Sequence, residues 1–377
     1  MFSEKIKVLK ENNLFRYIKD RASPQGPRIK FNGKEYINFS SNDYLGIANH
    51  PYIIDKVKRV LTDYGYGSAA SRLLGGGSNL HKELEDKIAQ FKKTKSALVF
   101  NSGYAANTGI ISAIADKDAV IFSDELNHAS IIDGCRLSKA KTLIYRHKDL
   151  SHLEDLIEKQ DATKKIVITD TVFSMDGDIA PLDYIYDICR KKKAILYIDD
   201  AHGTGVLGNG RGSLAHFNIK PEQWIIQMGT FSKAFGSFGA FVTGSKDTIE
   251  WIVNTARSFI FSTALPSCVI AASIAAMELI KNTPELIKKL WENRNKAAYC
   301  IKNAGYDIME SETPIIPIKT ESTENTMRIS RHLFKKGIYA PSIRPPTVKQ
   351  ARIRITVTAA HTDEDIEKLI ESLNAYY

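Results

Sequence analysis

Between about residues 95 and 245, short apolar runs alternate with longer stretches in which apolar and charged positions follow helical spacing. The runs are Ala97 to Phe100, Ala119 to Phe122, Lys165 to Thr169, Ala194 to Ile198, Trp224 to Met228 and Ala240 to Thr243. Runs this short and this apolar suit strands buried on both faces of a largely parallel sheet, with the intervening stretches as helices covering it. The pattern predicts an α/β domain. Such sheets offer ligands the carboxyl ends of their strands, and there this chain turns polar. Asn101-Ser102-Gly103 follows the first run, Ser123-Asp124 the second, Asp170 the third and Asp199-Asp200 the fourth.

After about residue 280 the texture changes. Helix-like segments (Pro284 to Ala304, Thr323 to Lys336, Thr362 to Ala375) flank strand-like runs (Ile315 to Ile318, Ile353 to Val357), which predicts a second, smaller α+β domain. The expected division is an N-terminal segment 1–44 that contributes to the smaller domain, a large domain 45–280 and a small domain 281–377.

Composition narrows the classes. The 377 residues include 52 Lys or Arg and 43 Asp or Glu, a formal charge of +9, with 43% hydrophobic and 25% charged residues. These are globular averages and exclude fibrous or wholly disordered chains. The basic residues are dispersed and do not alternate with aromatics, so the charge points to an anionic small molecule or acidic carrier and away from nucleic acid. Ala264 to Ile280, the most apolar stretch, contains Pro266 and Glu278 and is too short to span a bilayer, so it reads as a buried helix. Met1 to Arg16 carries scattered charge and no apolar leader. Cys135, Cys189, Cys268 and Cys300 form no C-x-x-C pair, which argues against a metal site or disulfide framework and for reduced thiols in the cytoplasm.

Five segments carry candidate chemistry. Gly229-Thr230-Phe231-Ser232-Lys233-Ala234-Phe235-Gly236 puts a lysine among hydroxyls and small residues just past a buried strand. Its amine can form an imine with an aldehyde while the hydroxyls face a phosphate. Alone, such a lysine is as readily a solvated surface residue. Tyr197 to Gly205 ends another strand with Asp199 and, three residues on, His202; a carboxylate there can hold a protonated ring nitrogen, and an imidazole can reach a phenolic oxygen. Asn101 to Asn107 is a strand-to-helix turn whose Gly103 lets backbone N–H groups approach an anion. Asn127-His128-Ala129-Ser130 offers an imidazole to stack on a planar ring. Val172 to Asp178 follows another strand.

Together, and in this order with Ser40-Ser41-Asn42-Asp43-Tyr44-Leu45-Gly46 and Ser262-Thr263-Ala264-Leu265-Pro266, these segments resemble the fold-type I pyridoxal-phosphate transferases, and within them the α-oxoamine synthases. The resemblance spans nearly the whole chain. It implies pyridoxal 5'-phosphate held by Lys233, which also acts as base, with Asp199 on the pyridine nitrogen. His202 and Ser174 would face the phenolic oxygen, His128 would stack on the ring, and Ser102, Gly103, Tyr104 and Thr230 would line the phosphate. Ser262 and Thr263 would reach the phosphate of the other subunit, which implies a homodimer, and the N-terminal segment would border the entrance.

Ile343 to Val348 and Arg352 to Thr356 resemble the branch that joins L-alanine to a pimeloyl thioester on coenzyme A or a carrier protein, in biotin biosynthesis. Arg354 would grip the amino acid carboxylate, with Asn42, Thr347 and Arg16 as further substrate-facing positions. A sister synthase that uses glycine and an acetyl thioester shares most of these marks. A non-catalytic partner subunit is expected to lack the lysine. Two segments depart from the branch pattern. Gly67 to Gly75 is less glycine-rich, and the Val348 to Ala351 link is short; both bear on the acyl substrate.

Overall fold

The computed structural model describes residues 1–376. The chain divides into two units, Met1–Asn49 with Ser174–Asp178 and Glu285–Tyr377, and His50–Phe173 with Ile179–Pro284. The short excursion at Ser174–Asp178 has no counterpart in the expected division at residues 44 and 280.

In the larger unit a seven-stranded sheet runs, in spatial order, Ser96–Phe100, Ala240–Gly244, Ile225–Thr230, Ile195–Asp199, Lys164–Asp170, Ala119–Asp124 and Lys141–Tyr145. Ala240–Gly244 is antiparallel to both its neighbours and the other pairings are parallel. Side chains alternate between two apolar layers, as the period of two requires. Ile121, Ile168, Tyr197 and Met228 face one layer with Ile110 and Ile252 from helices. Phe122, Val167, Leu196 and Ile225 face the other with Leu153 and Ile185. Every expected apolar run is a strand of this sheet. Lys141–Tyr145 has no such run because it is an edge strand with Lys141 and Ile144 in solvent. Ser267–Asn282 is the expected buried helix, entered through Pro266. Among the described residues no helix is long and apolar enough to cross a membrane.

The smaller unit holds two three-stranded sheets. Arg28–Phe31 and Lys34–Asn38 form a hairpin through Asn32-Gly33, both at positive φ, the residue pair such two-residue turns prefer. In the second sheet Arg352–Thr356 lies between Ile315–Lys319 and Ser342–Ile343. Its Ile353 and Ile355 enter an apolar core with Ile329, Ile366 and Leu369. Arg352, Arg354 and Thr356 occupy the opposite face by alternation, and both arginines bond Ser174–Asp178. Gly177 adopts φ +73°, and a Cβ there would stand 2.1 Å from the Ile315 carbonyl oxygen. The backbone N–H groups of Glu312 and Thr313 donate to the Gly177 carbonyl at 2.9 and 3.1 Å.

Candidate active site

The parallel strands of the larger unit end together in acids and hydroxyls. Asp199 Oδ2 accepts from Asn107 Nδ2 at 2.7 Å and Oδ1 from the Ala201 N–H at 2.9 Å. A carboxylate can only accept, so the amide of the fully buried Asn107 must point its nitrogen there. Its Oδ1 therefore accepts from the Tyr197 hydroxyl at 2.6 Å. The same Nδ2 donates to Ser130 Oγ at 2.8 Å. Ser130 Oγ lies 2.7 Å from His128 Nδ1, which also accepts the Ser130 N–H at 3.2 Å. His128 Nδ1 is thus an acceptor, and the ring proton sits on Nε2.

Charge agrees with this tautomer. Burial lowers the His128 pKa, and the Lys233 ammonium adds to that while Asp199 opposes it. Burial also raises the carboxyl of Asp170 well above the ordinary range, reinforced by Asp199; the His128 N–H, 2.7 Å from Asp170 Oδ2, and Lys233 work the other way. Lys233, half-buried after the strand that ends at Thr230, is therefore within electrostatic reach of both His128 and Asp170. His202 lies buried in the turn that follows Asp199.

The neighbouring Asp200 is different. Its carboxylate takes Lys92 Nζ at 2.7 Å, the hydroxyls of Thr171 and Thr204 at 2.8 Å each, and the Ser213 hydroxyl at 2.5 Å. Burial would raise its pKa, but Lys92 and these donors hold it below the ordinary value.

At the expected phosphate end, Ser102 caps the helix Gly103–Ile114 by accepting the Ala105 N–H at 3.1 Å. Tyr104 is exposed and its hydroxyl bonds Asp133. Thr230 Oγ1 donates to the Gly239 carbonyl at 2.7 Å and lies 2.6 Å from Ser232 Oγ. Ser262 and Thr263 sit beside the 67–75 segment: Ser71 and Thr263 form a bridge, and the Ala264 N–H donates to the Ala70 carbonyl at 2.9 Å.

The smaller unit carries the other expected residues. Arg354 is buried, and Nε donates to the Ser174 carbonyl at 2.6 Å, Nη1 to Thr356 Oγ1 at 2.7 Å and Nη2 to Asn42 Oδ1 at 3.1 Å. Tyr44 also faces it. All of these partners are neutral, and burial lowers the arginine's pKa. Two positions along the strand, Arg352 has an acid, Asp176. Arg16 Nη2 donates to Thr347 Oγ1 at 2.9 Å, so these two residues meet. Arg344 secures that stretch by donating to the carbonyls of Asn13 and Phe15 at 2.6 and 2.9 Å.

Sequence reasoning assigned no role to Asn107, Asp170, Tyr44 or Thr356. Asp170 was visible as an acid at a strand end. Asn107 had no such signal, because only the fold sets a helix residue beside Asp199.

The model of the aminotransferase class I and II family matches residues 34–373. The chain belongs to this family, and within it to the α-oxoamine synthases. A putative 8-amino-7-oxononanoate synthase of Thermodesulfovibrio yellowstonii is 53% identical, covering 99% of this chain and 96% of that one. The 8-amino-7-oxononanoate synthase of Thermoanaerobacter pseudethanolicus is 46% identical over 98% and 94%. Among solved structures, a serine palmitoyltransferase containing pyridoxal phosphate matches with TM-score 0.93 and 28% identity over 99% and 96% of the chains. The synthase is a pyridoxal-phosphate-dependent acyltransferase. Its donor set fits that cofactor: an amine for the aldehyde, a buried carboxyl group for the ring nitrogen, a neutral imidazole, and a capped helix start for the phosphate.

Proposed function

We propose that this synthase condenses L-alanine with a pimeloyl thioester, releasing carbon dioxide, the carrier thiol and 8-amino-7-oxononanoate for biotin biosynthesis. The observation that carries the reading is Arg354, a buried guanidinium whose partners are neutral and whose charge is left for a ligand carboxylate. The full-length relatives named for this reaction support the choice of acyl donor.

Pyridoxal phosphate supplies an aldehyde that captures amines and a ring that accepts the electron pair left when a bond at Cα breaks. Lys233 would hold the aldehyde, and its amine is the group that would take the proton from alanine Cα. Asp199, oriented by Asn107, would hold the ring nitrogen in its protonated form, and His128 would present the flat face of a neutral imidazole. His202 and Ser174 address the phenolic oxygen. Ser102, Gly103, Tyr104 and Thr230 bind the phosphate, joined by Ser262 and Thr263 of a second copy, so the working form is a homodimer, placed in the cytoplasm. Arg354 and Asn42 orient the amino acid, while Arg16 and Thr347 meet the thioester. The Cα–H bond breaks, a bond from Cα to the acyl carbon forms and the thiol leaves; the alanine carboxylate then departs as carbon dioxide, and a proton added at Cα replaces it to give the amino ketone.

The test is to supply the purified protein with each amino acid and thioester in turn and to follow thiol release. Alanine with pimeloyl coenzyme A or pimeloyl carrier protein should be the fastest pair. Faster turnover of glycine with an acetyl thioester would assign the sister reaction instead.

A further inference from the structure

A recess in the larger unit, with a volume of 190 Å³, is lined by none of the residues expected to face the cofactor or the substrates. Gln227, at 1% exposure, lines it, and its Nε2 has no hydrogen-bond partner. Gln227 pairs with Thr243 across the antiparallel ladder. Cross-strand partners project from the same face, and Thr243 Oγ1 is likewise buried without a partner. Two unsatisfied polar atoms side by side are costly inside a sheet. Ile225, two residues earlier on the same face, joins the apolar layer, so the fold does not require polarity there.

The remaining lining gives the partner's chemistry. Lys93, Arg211 and Lys220 border the recess, and among the described residues none of the three has a carboxylate partner. No acidic residue lines it, and Phe91, Leu214 and Ile219 supply apolar wall. Lys92 also reaches it, but its ammonium is engaged: beyond Asp200 it donates to Thr204 Oγ1 at 3.0 Å and to the Arg211 carbonyl at 2.8 Å. That last bond fixes the backbone of Arg211, so the guanidinium is presented from a rigid point.

We infer that this recess binds a small amphipathic anion, a phosphate or carboxylate head on a short apolar body. The head takes hydrogen bonds from Gln227 and charge from Arg211, Lys93 and Lys220, with Arg211 able to grip two oxygens at once. The body lies against Phe91, Leu214 and Ile219. The inference is independent of which acyl substrate the synthase uses.

The test is calorimetric titration of the full chain loaded with pyridoxal phosphate, which keeps the cofactor's own phosphate site filled. Hexyl phosphate and hexanoate are the probes, with inorganic phosphate and hexylammonium as controls. At least one hexyl anion should bind at one site per chain, and the tighter of the two identifies the head. Inorganic phosphate should bind at least about tenfold more weakly for want of the apolar body, and hexylammonium should not bind. Gln227→Leu should weaken binding by about tenfold or more, and Arg211→Met and Lys220→Met each by at least about threefold, all with an unchanged cofactor absorbance. Lys220 is exposed and Arg211 half-buried, unlike Gln227, so their variants keep the test valid even if Gln227→Leu misfolds. Binding of neither anion, binding indifferent to the arginine and lysine variants, or equal binding of hexylammonium would overturn the inference.

Discussion

Asp199 and Asp200 are consecutive, both buried, and both at the end of one strand, yet their surroundings follow opposite rules. Asp200 is closed: an ammonium, three hydroxyls and a backbone N–H use its lone pairs. A Cβ on Gly212 or Gly203 would fall 1.9 or 2.1 Å from its oxygens, so even the loop is shaped around it. Asp199 accepts from an amide and a backbone N–H, and among the described residues neither of these hydrogen-bond donors is a cation. A charge answered within the chain holds the fold together. A charge answered only by neutral donors leaves room for a ligand, and the same contrast separates Arg352 from Arg354 in the smaller unit.

The largest effects should break this comparison first. Lys233→Ala should abolish turnover and the visible absorbance of the cofactor-bound protein, with little change in the urea midpoint, because that lysine serves the open cluster. Lys92→Met should do the reverse. Removing one partner of a buried ion pair typically costs about 3–5 kcal/mol, so its unfolding midpoint should fall steeply, while protein that remains folded keeps its absorbance. Lys92→Met with Asp200→Leu should recover part of the loss. If Lys92→Met abolished the absorbance of folded protein, or Lys233→Ala unfolded it, the division between closed and open charge would be wrong.

How much of this could be read in advance depended on whether the signal was local. The strands of the large sheet were legible because both of their faces are buried, which concentrates Ile, Val and Leu in short runs. Lys141–Tyr145 was not, since at this edge Lys141 and Thr142 leave too short an apolar run to stand out. Nor was the excursion of Ser174–Asp178, which depends on Gly177 meeting Ile315 and on Arg352 meeting Asp176, contacts between residues far apart in sequence. At the site, Lys233, His128 and Asp199 stood in recognisable segments. Asn107 lay inside one such segment, but its link between Asp199 and Ser130 exists only once two helices and a strand end are packed together.

The two arginines sharpen the comparison at a smaller scale. Arg354→Met should weaken alanine binding by about 1.5–3 kcal/mol, the usual worth of hydrogen bonds to a charged group. That is a rise in KM of at least about tenfold, with the absorbance of the bound cofactor unchanged. Arg354→Lys should rescue little, because a single ammonium cannot reproduce the planar fork. Arg352→Met should leave KM for alanine nearly unaltered and lower stability instead, since its partner is Asp176. Equal KM effects from the two variants would show that the neutral surroundings of Arg354 do not mark a binding group.

The smallest effect concerns a buried group kept uncharged. His361 is stacked on Phe39 with ring centres 4.3 Å apart. Its Nδ1 accepts the Thr358 N–H at 3.0 Å, and its Nε2 lies 3.2 Å from the Asn38 carbonyl. The neutral ring thus uses both nitrogens, and a second proton would have to enter at Nδ1 against an N–H. Burial, with Arg28 nearby, holds its pKa down to about 4, against pulls from Asp365 and Asn38. The unfolded chain, with an ordinary histidine near 6.5, takes up the proton first as pH falls. Stability from this residue is therefore complete above about pH 6.5 and is lost on the way down to about pH 4, at roughly 1.4 kcal/mol per pH unit. Asp200 changes nothing in that window, because its lowered pKa confines its loss to more acidic solution. His81, also lowered to about 4 chiefly by burial, adds a similar slope. The buried carboxyls of Asp170 and Asp43, both raised chiefly by burial, Asp43 to about 6, gain stability over the same interval, so the readout is a difference between proteins: from pH 7.5 through 6 to 5 the urea midpoint of His361→Gln should fall less, or rise more, than that of the unsubstituted protein, while starting lower at pH 7.5. An unchanged slope in that variant would mean that the ring is protonated, or accessible to solvent, in the folded protein.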